Sequence, residues 1–178
     1  MLTGAADDDL VIVRNGAFGI SIGTNGVTRL KINATGAVTM PLQPAFQAHP
    51  SANQDNIAKD SQVTVVLATE RFDIGGNFAS NTFTAPVTGK YQLNAEVRID
   101  NADTGAAYYH LYLVTSNKSY FNIIDPNFTA DLSYMSLNTS VLADMDADDT
   151  AYVAIYQSGG AVNSDIHTDS NFSGYLAC

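Results

Sequence analysis

The 178-residue chain carries 18 acidic and 8 basic side chains, a formal net charge of −10, and one cysteine. That balance excludes a phosphate-binding surface, and with it a nucleic-acid partner, and it disfavours attraction to an anionic membrane. The lone Cys178 excludes a disulfide scaffold, no apolar run of about 18 residues offers membrane insertion, and no basic-then-apolar leader opens the chain.

The first element is a repeat. Residues 10–16, 20–26 and 30–36 read LVIVRNG, ISIGTNG and LKINATG. Leu10, Ile20 and Leu30 align, as do Ile12, Ile22 and Ile32, and each unit closes on an Asn-Gly or Thr-Gly turn. The pattern predicts one short strand per unit with two inward apolar positions. Met40 and Leu42 continue the pair and Pro44 ends it. Ordering about 40 residues costs on the order of 60 kcal/mol, which a few apolar side chains per unit in one thin ribbon do not offset. Repeats of a short unit need neighbours to bury their face. We therefore expect residues 1–43 to be a repetitive β shaft and attachment segment in which three chains wind about one axis. The alternative is two hairpins packed on the domain that follows. The order of shaft and domain looks like the stalks that precede trimeric knobs in bacteriophage fibre and decoration proteins.

Residues 44–178 form a second, all-β domain. A strand is predicted to start at 44–48, followed by a polar loop at 49–60. A strand over 62–71 carries Val63, Val65 and Leu67 on one face. The central strand runs from Gly89 to Asp100, with Tyr91, Leu93, Ala95, Val97 and Ile99 alternating inward. Residues 107–115 set Tyr109, Leu111 and Leu113 against Tyr108, His110 and Tyr112. Short strands follow at 120–124, 132–142 and 150–157, the last with Tyr152, Ala154 and Tyr156 alternating against Val153 and Ile155, and a closing strand lies at 171–176. Short strands at this spacing, with no amphipathic helix, predict a two-sheet sandwich or jelly roll.

Two motifs sharpen that expectation. Phe83-Thr-Ala-Pro-Val-Thr-Gly89-Lys-Tyr91 leads into the central strand, and Asn171-Phe172-Ser173-Gly174-Tyr175-Leu176 closes the chain. Together they resemble the C1q/tumour-necrosis-factor-like jelly roll over roughly Pro44 to Cys178. Leu93 and Ala95 stand where that family prefers aromatics. The resemblance implies a homotrimer with the central and last strands on the inner sheet, near the threefold axis. It makes Phe83, Gly89, Tyr91, Leu93, Phe172, Gly174 and Tyr175 the candidates for fold and trimer core.

Other chemistry is thin. Asp144, Asp146, Asp148 and Asp149 cluster in DMDADD, and alternating acids in a loop suit calcium through oxygen ligands. Asp146, Asp148 and Asp149 are the candidate ligands, without the Gly and terminal Glu of an EF-hand loop; no other cofactor is expected. Asp100 and Asp103 form a weaker acidic turn. His49, His110 and His167 have no metal-ligand spacing. No nucleophile elbow or activated thiol points to an enzyme. The Asn-x-Ser/Thr matches at Asn33, Asn127, Asn138 and Asn171 are read as chance.

The working surface is expected in the loops at 101–106, 116–119, 125–131 and 158–169. Tyr108, Tyr112, Tyr120 and Tyr134 would stack on sugars where exposed. The expected function is a bacteriophage virion protein: a trimeric fibre or knob that adheres to a host-surface glycan or protein, or decorates the particle beside other virion proteins. The alternatives are a capsid cement or head-fibre protein that stabilises the shell, and a non-viral extracellular C1q-like binding module.

Overall fold

A computed structural model describes residues 16–178, and these form two compact units, 16–43 and 44–178. Leu10 and Ile12 of the repeat lie outside the described residues. In the first unit, β1 (Ile20–Thr24), β2 (Val27–Ile32) and β3 (Val38–Thr39) make an antiparallel meander. Neighbouring decads therefore pair with each other inside a single chain. Asn25 and Gly26, at φ 52° and 73°, form the two-residue turn between β1 and β2. Asn33 Oδ1 accepts the N–H groups of Thr35 and Ala37 at 3.0 and 2.9 Å and so builds the next turn. Pairing Ile20 with Ile32, Ile22 with Leu30 and Ile32 with Val38 gathers these apolar side chains on one face. Ile22 and Val38 are still 52% and 60% exposed.

The second unit contains β4 (Ala45–His49), β5 (Gln62–Thr64), β6 (Thr69–Ile74), β7 (Phe78–Ala79), β8 (Thr82–Thr84) and β9 (Gly89–Ala102). It continues with β10 (Ala106–Thr115), β11 (Ser119–Ile124), β12 (Leu132–Met145), β13 (Thr150–Gly159), β14 (Asp165–Ile166) and β15 (Asn171–Leu176). The described residues contain no helix. One antiparallel sheet has the order β12-β9-β15-β4-β6, with β14 on β9; the other runs β11-β10-β13-β8-β7, with β5 on β13. The two face each other as a jelly-roll sandwich. We call them the β9 sheet and the β10 sheet.

The predicted alternation holds in both central strands. Tyr91, Leu93, Val97 and Ile99 of β9, and Tyr109, Leu111 and Leu113 of β10, are fully buried between the sheets. The expected single strand over 62–71 is two. β5 pairs with β13 in one sheet and β6 with β4 in the other, so the chain changes sheets at 65–68. Apolar spacing sees only that Val65 and Leu67 are buried, and they remain so across the break. The backbone there is held from outside the ladders: Val65 N–H donates to Val153 O at 3.0 Å, and Leu67 N–H to Asn81 Oδ1 at 2.7 Å. Asn81 itself sits in a Ser80-Asn81 turn with both φ positive, and this turn makes β7 and β8 a hairpin. The strand predicted to end at 142 continues to Met145, so Asp144 belongs to β12 rather than to the turn.

An aromatic cluster joins the sheets. Phe46 on β4 stacks on Phe83 of β8 with centroids 4.6 Å apart and meets Phe172 of β15 edge-on at 4.9 Å. Gly174 makes the room: a Cβ there would lie 2.6 Å from Leu93 Cδ2 and 2.9 Å from Phe46 Cε1. At the loop end, the buried Tyr109 hydroxyl accepts Asp103 N–H and bonds Ser164 Oγ, both at 2.8 Å. Asp103 Oδ1 accepts Gly105 N–H at 2.7 Å and its Oδ2 accepts Ala161 N–H. One phenol and one carboxylate thereby tie the 101–106 and 158–169 loops together.

Three substitutions check this account by urea denaturation. Phe46→Ala should cost about 3–5 kcal/mol and Gly174→Ala about 1–3 kcal/mol, one by cavity and the other by overpacking. Tyr109→Phe, which leaves Asp103 N–H without its acceptor, should cost about 1–3 kcal/mol. A neutral Gly174→Ala would remove the close approach of β15 to Phe46 as a constraint on the fold.

Candidate functional site

The outward face of the β9 sheet is the first candidate surface. Register places Leu142, Gln92, Tyr175, Ala45 and Ile74 in one row across five strands, and Ser140, Asn94, Ser173, Gln47 and Phe72 in the next. Leu142, Tyr175 and Phe72 are 56%, 50% and 47% exposed. Between the latter two lies a shallow depression of about 330 Å³, lined also by Ala45, Gln47, Asn94 and Ser173. Ser140 Oγ and Gln92 Nε2 are linked at 2.8 Å, and Ser140 donates onward to Asn94 Oδ1 at 2.8 Å, so the polar part of this face is pre-ordered. Farther along β9, the Arg98 guanidinium donates to Asp100 at 2.8 Å and to Asp169 at 2.7 Å, and lies 5.5 Å over the Tyr134 ring. These hydrogen bonds, the Asp100 pair first, hold Arg98 protonated above its usual range.

The outward face of the β10 sheet is different. Tyr108, His110 and Tyr112 of β10 meet Tyr156 of β13 and Phe121 of β11 in one contact array. The His110 ring lies 4.7 Å from Tyr108, 5.2 Å from Tyr112 and 5.1 Å from Phe121, and Tyr108 stacks on Tyr156 at 6.0 Å. Tyr112 Oη and His110 Nδ1 are 2.6 Å apart, while His110 Nε2 is buried with no partner. Burial lowers the imidazole pKa and keeps the ring neutral at neutral pH. Burial first, then Tyr108, Asp60 and Tyr112, raises the Tyr156 pKa, so its hydroxyl remains a donor.

The loops supply a polar cleft of about 590 Å³, lined by Asp55, Asn56, Asn101, Asp131, Leu132, Ser133, Asn163 and Asp165. Two of its acids are already engaged. Asp165 takes Asn56 N–H at 2.7 Å and Asn101 Nδ2 at 2.9 Å. Asp131 takes the N–H and hydroxyl of Thr104, which lower its pKa, the backbone bond most.

The acids of DMDADD cap their own turn. Asp149 Oδ2 accepts Asp146 N–H at 2.8 Å and Asn117 Nδ2 at 2.7 Å, Asp146 Oδ1 takes the Thr88 hydroxyl at 3.4 Å, Asp144 pairs with Lys90, and Asp148 sits at φ 70°. Asp144, Asp146 and Asp149 thus each face a protein donor. Among the described residues no group of three or more acids, histidines or cysteines is placed to hold a metal.

The residues singled out from the sequence divide by position. Phe83, Tyr91, Leu93 and Phe172 are fully buried inside the subunit's own core. Gly89 allows the chain end to close on β9, since a Cβ there would lie 2.6 Å from Leu176 Cδ1 and 2.7 Å from the Cys178 carbonyl. Tyr175 alone of this set points out of the β9 sheet. Of the four candidate stacking tyrosines, Tyr108 and Tyr112 share the β10-sheet array, whereas Tyr120 packs on the core under Lys118 and Tyr134 lies beside Arg98 on the opposite sheet. Sequence reasoning missed His110, Phe121 and Tyr156 as their partners. The parity of Tyr156 on its strand was visible, but the neighbourhood of β10, β11 and β13 was not.

This architecture matches known proteins. The globular domain of the zebrafish complement 1qA protein superposes with a TM-score of 0.54 at 14% identity, over 76% of this chain and 98% of that one. Murine APRIL gives 0.53 at 11% identity, over 75% and 98%. The Eiger TNF from S. frugiperda gives 0.52 at 10% identity, over 77% and 92%. No curated protein matches the chain by sequence. The family model described as the C1q domain matches residues 45–177. With the jelly-roll strand order and both sequence motifs in place, the chain belongs to the C1q domain family.

Proposed function

We propose that the chain is a homotrimeric, non-catalytic binding module that uses the outward face of the β9 sheet as its subunit contact and leaves the loops for a partner. C1q and TNF-like domains commonly form homotrimers, bind other proteins and work without catalysis. The observation that carries the reading here is three large apolar side chains held about half exposed on one sheet face, Tyr175 and Phe72 flanking a depression and Leu142 in the same row as Tyr175. An apolar patch with a pre-ordered polar surround is the form of a specific interface core. Packing the same face of three copies about one axis closes the assembly. The meander of residues 16–43, with Ile22 and Val38 exposed on one side, supports a second contact between copies: the β shaft.

Within that reading lies the chain's place in nature. A role as a bacteriophage fibre, knob or capsid decoration protein on the virion is supported by the decad repeat ahead of the knob, and by nothing among the relatives named above. Those relatives come from animals and favour a non-viral C1q-like binding module. Electron microscopy of virions with antibody against this chain separates the two, because labelled particles require the first.

Light scattering on purified protein should give three times 18.9 kDa. Tyr175→Glu combined with Leu142→Glu should shift residues 44–178 to monomer without loss of β signal. The full chain carrying both changes should stay partly associated through its meander. A native monomer at high micromolar concentration would remove the trimer.

A further inference from the structure

In a chain with 26 charged side chains, which follow from 18 acidic and 8 basic ones, the outward face of the β10 sheet carries none. Its members are the ring array, with Gln62 and Thr64 from β5, Ser119 from β11 and Ser158 from β13 around it. The nearest acid, Asp60, sits at the rim with Oδ1 taken by Gly159 N–H. Ala154, pointing the same way, is fully buried under its neighbours and keeps the centre flat. Phe121 is 58% exposed, so the side of its ring away from His110 is open. Among the described residues, the hydroxyls of Tyr108 and Tyr156 have no hydrogen-bond partner.

Three features select the occupant. With no Arg or Lys on the face, it offers an anionic ligand such as a phosphate, sulfate or sialylated chain nothing to pair with. A protein partner is favoured by anchors that enter pockets and by charged rim pairs, and this face is flat and uncharged. Rings already stacked on one another lose little freedom on binding, and Tyr108 and Tyr156 each present a ring edged by a phenol with no partner among the described residues. The ligand that meets both halves has C–H faces and many hydroxyls and no charge. We propose that the outward face of the β10 sheet is a stacking platform for an uncharged saccharide, with Phe121 and the Tyr108–Tyr156 pair as the ring surface. The platform is complete in one subunit and does not depend on the trimer proposed above.

The test is saturation-transfer NMR and ring-proton titration of the full chain with four neutral probes: cellohexaose, laminarihexaose, β-1,4-mannohexaose and N-acetylchitohexaose. At least one should bind, shift Phe and Tyr ring resonances, and keep its affinity between roughly 0.05 and 0.5 M NaCl. Phe121→Ala should weaken it by at least about fivefold. Tyr156→Phe, which keeps the ring and removes the donor, should weaken it by a smaller factor. Tyr134→Ala on the opposite sheet should leave it unchanged. No binding at about 10 mM of any probe, affinity that falls with salt, binding indifferent to Phe121→Ala, or a protein partner cross-linked at Phe121 with no sugar bound, would each overturn the proposal.

Discussion

The sandwich depends on the aromatic cluster that bridges it. Phe46 belongs to one sheet and Phe83 to the other, and their near-parallel stack is where the two layers touch. Phe172 abuts Phe46 edge-on, and Phe83 tilts against Tyr91 at 5.4 Å. Tyr91 in turn donates to Val87 O at 2.8 Å and fixes the turn into β9. Buried aromatics combine a large apolar area with a preferred geometry, so this cluster sets the spacing of the layers as well as stabilising them. Gly174 is the matching constraint, because the last strand approaches Phe46 only where there is no side chain.

With the layers fixed, the two outer faces are free to diverge. The β9 sheet presents aliphatic and aromatic groups beside an ordered amide–hydroxyl chain, with the Arg98 ion pairs toward one end and the Lys90–Asp144 pair at the other. The β10 sheet presents rings and uncharged polar groups. The alternation that buries every second residue leaves the intervening positions unconstrained by the core. One fold therefore carries two chemically distinct surfaces at no cost to packing. Its loops are held by Tyr109 and Asp103 from within, so they are displayed on a rigid base rather than trailing from it.

Much of this was legible in the sequence, and for a definite reason. Where a strand has one buried face, as in β9, β10 and β15, period-two alternation states both the element and its orientation. Alternation says nothing about which strands become neighbours. That is why Tyr108 and Tyr112 were noticed but not Phe121, and why Tyr134 was grouped with residues that lie on the opposite sheet. The run over 62–71 failed for a related reason: its apolar spacing persists through a change of sheet, and the side-chain acceptor that permits the break, Asn81, is distant in sequence. The decads were recognised as a repeat, but their pairing partner was assigned to other chains. The two-residue loop at Asn25-Gly26 makes the adjacent decad the nearest partner. The carboxylates of DMDADD illustrate the remaining limit, since composition shows acids but not the donors that Asp144, Asp146 and Asp149 already face.

The pairing of β4 with β15 carries a temporal consequence. Ala48 lies against Phe172, so β4 can pair with β6 early, but nearly the whole unit must exist before it gains its second neighbour. Until β15 has been made, Phe46 lacks the Phe172 ring that abuts it. Non-local ladders of this kind are slow to close and leave sticky edges in the interim. The yield of the folded unit in a host cell should therefore follow the chaperone supply more closely than the equilibrium stability of the finished sandwich.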